Sequence, residues 1–366
     1  MNRKIRMAIA GLGFGAEFIP IYQNHPHTEM YAICQRSSDK LKTMGDHFGI
    51  PVRYASFEEM LKDVKIDAVH INTPIPNHAE QSIAALNAGK HVACTVPMAT
   101  SVEDCRRIVE AQHASGKNYM MMETAVYTRE FLHVKKLRDS GALGRIQFLR
   151  GAHQQEMAGW PGYWEGLPPM HYATHAVSPL LALAESEVDF VSCFGSGRIA
   201  DCLIEKYGSP FAVESALFRL KNSTLAAEVT RSLFETSREY IESFDIYADT
   251  MSFEWQRLED EDPALFTGED GKRVKIPDYA HLLPESIRRY TTEGVYDSQE
   301  NQHLSFTQGS GHGGSHPHLA NEFVMSIVEH REPYPNVLTS ANWTCAGICA
   351  HESAMKGGEI VKIPQF

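Results

Sequence analysis

Arg6–Ala10 (RMAIA) reads as a short buried strand, and it runs directly into Gly11-Leu12-Gly13-Phe14-Gly15-Ala16. This junction constrains the fold more than any other stretch, because it fits G-x-G-x-x-G/A with alanine in the third place. Gly11 permits a tight turn, Gly13 lets a pyrophosphate approach the backbone, and the small Ala16 lets the following helix pack on the strand. The start of that helix offers free N–H groups and the positive end of its dipole, with Phe14 and Gly15 inside the loop. Such a glycine pattern is weak evidence alone; after a first strand and opening a helix it becomes strong. The alternative is a glycine-rich turn that holds no ligand.

The segments that follow keep the same rhythm. Strand-like runs recur at Glu29–Cys34, Ala68–Asn72, His91–Cys94 and Tyr119–Glu123. Helical patterns lie between them at Ala16–Asn24, Ser38–Phe48, Phe57–Lys62, Ala79–Ala88 and Val102–Ala114. Alternating strands and helices predict βαβ units, a parallel sheet and right-handed crossovers, so the fold class is α/β. With 366 residues there is room for two domains.

Composition removes several function classes. The 34 basic and 46 acidic residues give a net charge of −12, which argues against a general nucleic-acid binder. No apolar run approaches the roughly 20 residues that span a bilayer, so no membrane partner is expected. The start MNRKIRMAIAGLGFG is basic and then apolar, but it is too short for a secretory leader and runs into the glycine pattern, which points to the cytoplasm. The 7 cysteines are odd in number and scattered, so free buried thiols are expected. Cys345 and Cys349, at i, i+4 spacing, leave a metal or redox role open.

An acidic residue for the adenosine ribose is expected at the end of the second strand. The run here is Cys34-Gln35-Arg36-Ser37. Gln35 removes a charge barrier to a 2′-phosphate, and Arg36 with Ser37 can bind one. Equally, Arg36 can stack on adenine while Gln35 holds the ribose hydroxyls. NAD is the expected cofactor, with NADP open.

Three further segments carry a family resemblance. Asn72-Thr73-Pro74-Ile75-Pro76-Asn77-His78 resembles a T-P-x-x-x-H signature, Ala88-Gly89-Lys90-His91-Val92 an A-G-K-H-V lead, and Ser140–Ile146 a G-x-[IL]-G-x-[IV] domain entry. With the glycine loop, these resemble the glucose–fructose oxidoreductase / inositol dehydrogenase / rhizopine-catabolism family. The resemblance implies an N-terminal Rossmann domain and a C-terminal α/β domain with a large open, mostly antiparallel sheet. It further implies homo-oligomers, dimers, tetramers or larger, built on the exposed face of that sheet. The expected domains are 1–125 for cofactor, 126–340 for substrate and oligomerisation, and 341–366 for a closing helix and tail that pack back toward the Rossmann domain. In the cofactor domain, Asn72, Thr73, Pro74, His78, Thr95 and Pro97 are the matching candidates. One departure matters. The family continues from A-G-K-H-V into C-E-K-P, whose lysine takes part in proton transfer, whereas this chain reads Cys94-Thr95-Val96-Pro97. Valine can neither donate nor accept a proton, so the acid–base work has moved or is absent.

The second domain shows strand-like runs at Ile146–Ala152, Phe190–Phe194, Ser215–Leu220, Leu225–Thr230 and Ser243–Tyr247. Their weak alternation fits a sheet with one covered face. Glu259–Gly271 is rich in acids and reads as a surface insertion. Met157–Pro169 holds three glycines, three prolines, two tryptophans and a tyrosine in thirteen residues, which denies it regular structure. Its Trp160, Tyr163 and Trp164 suit stacking on a sugar or aryl face; the alternative is a loop pinned by buried aromatics.

Met170–Pro179 follows, where the resembled family has D-x-G-x-H with an acid–base histidine. The match puts His171 at the aspartate and His175 at the histidine, and Y-x-T-H is also similar to NAD-dependent α-N-acetylgalactosaminidases. His171 and His175, at i, i+4, are expected to share a helix face. Histidine moves protons near neutral pH, so His175, Tyr172 and His171 are the catalytic candidates. Gly309–His318 adds four glycines and three histidines in ten residues, and glycines offer no packing surface. His312 and His316 are candidate substrate contacts there. H-x-x-x-H-x-H invites a metal reading with His318, a site that His171 and His175 could complete, but the resembled family generally needs none and no fixed carboxylate partner is obvious, so no metal ligand is assigned. Glu123 and Tyr127 follow the fifth strand at the carboxyl edge, where ligands bind in such sheets, and are candidate contacts to the nicotinamide or the sugar; the alternative is a domain-joining role.

These features support an enzyme that oxidises a sugar or glycoside hydroxyl with a nicotinamide cofactor, at C3 of a hexopyranoside as the specific expectation. His175, with Tyr172, replaces the missing lysine. Two rivals remain: a glycosidase that keeps NAD bound and works by oxidation and elimination, and a non-catalytic cofactor-binding regulator. Five of the 18 histidines, at 171, 175, 312, 316 and 318, fall in the two segments to which the lost lysine's work is reassigned.

Overall fold

The computed structural model describes residues 3–157, 166–258, 260–293 and 311–366. Its internal contacts divide the chain into two units, Met1–Tyr127 with Asp278–Ala341 and Phe366, and Thr128–Pro277 with Asn342–Gln365.

The first unit holds six parallel strands: β1 (Ile5–Ala10), β2 (Thr28–Cys34), β3 (Val52–Tyr54), β4 (Ala68–Ile71), β5 (His91–Cys94) and β6 (Tyr119–Met121). They lie in the order β3-β2-β1-β4-β5-β6, which puts a topological switch point between β1 and β4. Met7, Ala8, Ile9, Val69, Ile71, Val92 and Ala93 are fully buried, the near-continuous apolar pattern of strands covered on both faces. β3 is the strand absent from the sequence reading; its three residues are half-buried at the sheet edge and give no periodic signal. The expected helix over Ala16–Asn24 is split into a 3-10 turn, Phe14–Phe18, and an α-helix, Ile19–Asn24. Pro20, which has no N–H to donate, sits in the first turn of that new helix, where none is needed. Serines 37, 56 and 101 cap the next helices, their hydroxyls accepting from Lys40, Glu59 and Asp104 N–H groups.

The domain boundaries differ from those expected. Leu283, Ile287 and Tyr290, with Leu319, Ala320, Phe323 and Val324 of the helix His316–Val328, bury into one core with Met7, Ile9, Phe18 and Ile33. Each fully buried apolar side chain contributes about 1.5–3 kcal/mol, so Asp278–Ala341 is held in the first unit by its apolar face. Residues 342–365 instead join the second unit, where a terminal strand pairs with its sheet.

That sheet has nine strands: β7 (Ile146–Gln154), β8 (Val188–Ser196), β9 (Val213–Leu220), β10 (Ala226–Ser232), β11 (Ile241–Ala248), β12 (Ser252–Glu254), β13 (Ala264–Thr267), β14 (Asp270–Arg273) and β15 (Val361–Lys362). Their order is β14-β13-β12-β11-β7-β10-β9-β8-β15, antiparallel except for the β7–β10 pair. β9 shows why one face is covered: Glu214, Ala216, Phe218 and Leu220 are buried, while Leu217 and Arg219 are exposed. Glu259–Gly271 is not a plain surface insertion. It carries β13, whose Leu265 is buried, and the start of β14. All seven cysteines are free; Cys202 is exposed, against expectation, on the short helix Asp201–Tyr207. Among the described residues, no helix is long and apolar enough to cross a membrane.

Candidate functional site

The first unit forms a cradle where β1 turns into the 3-10 helix. Gly11 has φ +87°, and a Cβ there would lie 2.3 Å from the Asn72 carbonyl oxygen, so only glycine fits. Gly11 N–H donates to the Cys34 carbonyl and Asn72 N–H to the Ala10 carbonyl, which ties the turn to both neighbouring strands. At Gly13 a Cβ would meet nothing within 4 Å, leaving open space beside the backbone. No side chain caps the turn that starts there. Gly15 lies against Ile9 and Asn72, and Ala16 is fully buried. Phe14 packs edge-on against Phe18 at 5.7 Å. The buried Asn72 Oδ1 has no partner among the described residues. An uncapped glycine turn with open space at Gly13 and the unspent Asn72 Oδ1 at its rim fits a dinucleotide.

Gln35 is not free to act alone: its Oε1 accepts from Leu12 N–H at 3.2 Å, which fastens the end of β2 to the glycine loop. Arg36 is exposed beside it. Ser37 is spent as a helix cap, so its hydroxyl is a poor phosphate ligand.

His78 is buried between two loops. Its Nδ1 lies 2.8 Å from the Pro97 carbonyl and its Nε2 2.9 Å from the Thr73 carbonyl. Thr95 Oγ1 is 3.4 Å from the same Nε2 and donates to the Ile71 carbonyl. Burial disfavours the imidazolium, yet the Cys94 thiol and the two carbonyls more than offset it and raise His78 above its ordinary value. His78 therefore braces the Thr73-Pro74 loop against the Val96-Pro97 loop, while Thr73 Oγ1 donates to Gln81. Val96, where the resembled family has lysine, is buried and proton-inert.

The other candidates of this unit fall into two groups. Glu123 is buried, and its Oε1 accepts from Ala125 N–H as the cap of the turn Thr124–Val126. Tyr127 donates to the Tyr334 carbonyl at 2.8 Å. His312 and His316 come together, with Nδ1 and Nε2 3.3 Å apart, and both rings pack edge-on against Phe14. They thus back the glycine loop. Burial pushes His316 well below its ordinary value, followed by the His312 charge. His318, two residues along the helix, is buried with Asp278 and His281 as its charged neighbours, so the three histidines do not converge. Among the described residues, no group of three or more His, Cys, Asp and Glu side chains is placed to hold a metal ion.

The second unit assembles a different kind of site. The turn Pro169–Tyr172 ends at Ala173, and the helix Thr174–Ala184 starts afresh. That break separates His171 from His175, so the expected shared helix face is not formed. His171 packs edge-on against His351, whose Nδ1 lies 2.7 Å from buried Glu214; burial pushes His171 down to about 3. His175 turns instead to Tyr172, with Nε2 3.3 Å from the hydroxyl. It is 3 % exposed.

Beneath His175 lie residues that the sequence reading missed. Strand register sets Arg231 of β10, His153 of β7 and Glu242 of β11 side by side in one row. Glu242 Oε1 lies 3.6 Å from His175 Nε2 and 3.8 Å from His153 Nε2, and accepts from Tyr240. Fully buried Arg231 donates to the Tyr172 and His153 carbonyls and to Gln155 Oε1. Burial lowers Arg231 to about 10, so it stays charged at neutral pH. Gly151, two residues before His153 on the same face, lets the Ala176 carbonyl approach to where a Cβ would sit 2.2 Å away. That close approach brings the helix, and His175 with it, down onto the row. The available signal was polar residues at inward strand positions, where Leu149, Gly151 and His153 alternate as buried. Trp160, Tyr163 and Trp164 lie outside the described residues.

Comparison with known proteins gives four findings. Residues 5–123 match the oxidoreductase family with an NAD-binding Rossmann fold. The dTDP-3,4-didehydro-2,6-dideoxy-alpha-D-glucose 3-reductase of Streptomyces violaceoruber is 31 % identical over 153 residues, 40 % of this chain and 43 % of that protein. A glycosyl hydrolase family 109 protein of Shewanella baltica is 29 % identical over 198 residues, 48 % of this chain and 43 % of that protein. The chain thus spans less than half the length of these curated relatives. A levoglucosan dehydrogenase solved with NADH shares the fold over 100 % of both chains, with TM-score 0.79 and 19 % identity.

Proposed function

We propose, for a chain whose amino-terminal domain belongs to the NAD-binding Rossmann oxidoreductases, a dehydrogenase that oxidises a sugar or glycoside hydroxyl to a ketone. The position proposed is C3 of a hexopyranoside. The reading rests on one observation above the others: His175 and Tyr172 sit 3.3 Å apart in a buried cluster, in a chain whose Val96 removes the usual lysine.

The glycine cradle with Asn72 would hold the dinucleotide, and His78 keeps the two loops at its rim in place. The dinucleotide held there would supply a hydride acceptor for the carbinol carbon. His175, aided by Tyr172, takes the hydroxyl proton, and the O–H electron pair becomes the second bond of the ketone. In the reverse direction His175 returns that proton to the oxygen. The 3-reductase relative supports a sugar C3 as the reacting position.

A second reading, a glycosidase that retains NAD, is supported by the match to the Shewanella protein and by the Y-x-T-H wording. One experiment separates them. Purified protein is screened with NAD and NADP on methyl and p-nitrophenyl hexopyranosides, with products located by NMR. Net NADH formation with a 3-ketone is the expected result. Nitrophenol release without NADH would establish the glycosidase instead. His175→Ala is expected to lower kcat by about 10²–10⁴-fold; undiminished turnover would remove His175 from the mechanism.

A further inference from the structure

The row beneath His175 has a chemical use that the dehydrogenase reading leaves unassigned. A buried imidazole that accepts a proton becomes a buried cation, and burial disfavours that cation. Something beside it must carry the opposite charge. We propose that Glu242 is the positioning residue that makes His175 a competent base, holding its ring and balancing the imidazolium formed when it takes the substrate proton. This inference rests on the role given to His175 above.

The geometry supports Glu242 in three ways. Its Oε1 is 3.6 Å from His175 Nε2, the atom that also faces the Tyr172 hydroxyl. The same oxygen is fixed from two other sides, by the Tyr240 hydroxyl and by His153 Nε2 at 3.8 Å. Its side chain is 11 % exposed, so water screens it little. The carboxylate is anchored by backbone rather than by chance packing, because β11 pairs Glu242 directly opposite His153 of β7. Arg231, opposite His153 on the other side, places a buried guanidinium in the same row. A fixed carboxylate behind a histidine base orients the ring and favours its protonated form.

The groups that titrate around His175 come from every element packed on its helix. They are Tyr172 of the preceding turn, His153 of β7, Arg231 of β10, and Tyr240 and Glu242 at the start of β11. The helix Arg129–Asp139 packs on the same helix and carries Glu130, which burial pushes up to about 7, and His133, which burial lowers.

The test is Glu242→Gln in the full chain loaded with NAD, followed by NMR titration of the histidine ring protons. The His175 signal is assigned by its disappearance in His175→Ala. We expect His175 in Glu242→Gln to titrate about one unit lower or more. On any hexopyranoside the enzyme oxidises, the acid limb of kcat/KM should move down in parallel. kcat should fall about 10–100-fold and KM stay within about threefold. Glu242→Asp, which keeps the charge but draws it back, should give a smaller shift in the same direction and guards against misfolding of the first variant. An unmoved His175 titration in both variants overturns the proposal. The titration needs no substrate, so it decides the role of Glu242 even where no hexopyranoside is oxidised. Full turnover by His175→Ala would sink the dehydrogenase mechanism and leave the Glu242 measurement standing.

Discussion

The two candidate sites are made by opposite means. In the first unit, Gly11, Gly13, Gly15 and Ala16 fall within one run of six residues, and the cradle is a property of one turn of backbone. In the second, His153, Arg231 and Glu242 come from three strands, and only hydrogen-bonded register brings them into one row. The first site depends on the absence of side chains; the second consists of side chains, and ionisable ones. The backbone site has no room for an added atom at Gly11 or Gly15, whereas a register site tolerates changes of atom but not of alignment.

Acid should separate the units most strongly. Burial lowers His25 to about 4, His70 to about 3 and His318 to about 4 in the first unit, against His171 and His133 in the second. A lowered group is neutral when folded and charged when unfolded below about 6.5. The stability it contributes is therefore present above pH 6.5 and lost as pH falls toward 4. At pH 5 each such imidazole costs up to about 2 kcal/mol. His78, whose value is raised, works in the opposite sense and loses its contribution as pH rises above about 6.5. Hydrogen exchange at pH 7 and pH 5 is expected to show β1–β6 losing protection before β7–β11. Equal loss would break the contrast.

Gly11→Ala should come next. The added Cβ meets the Asn72 carbonyl at 2.3 Å, in a backbone conformation that alanine resists. NADH binding, followed by fluorescence, is expected to weaken about 100-fold, or about 2.7 kcal/mol. The histidine signals of the second unit should not move, and their movement would mean that the sites are not independent. Arg36→Ala is the smallest. It should raise KM for NADP about tenfold, or about 1.4 kcal/mol, and leave KM for NAD within about twofold. Equal effects on both cofactors would assign Arg36 to the adenine.

The same contrast governs what could be read from the sequence. β1, β2, β4, β5 and β6 were legible because parallel strands are continuous apolar runs, and the cradle because its residues are adjacent. β3 was not, being three half-buried residues at an edge. β13 hid behind flanking acids, since only Leu265 of its four residues is buried. His175 and Tyr172 were legible by their position in a motif. Glu242, His153 and Arg231 were not, because no local pattern says which residue of one strand stands opposite which residue of another. The return of Asp278–Ala341 to the first unit was missed for the same reason: its apolar helix face names no partner.

That return has a consequence for how the gene can be cut. The chain enters the second unit after Tyr127, leaves it after Pro277, and re-enters within the helix Val337–Met355, after Ala341. A truncated chain ending at residue 127 would carry all six parallel strands yet bare the core surface meant for Leu283, Ile287, Leu319 and Phe323. The cofactor module is thus not a transplantable cassette. Recombination that exchanges the two units between relatives must keep the crossover points after residues 127, 277 and 341 in step.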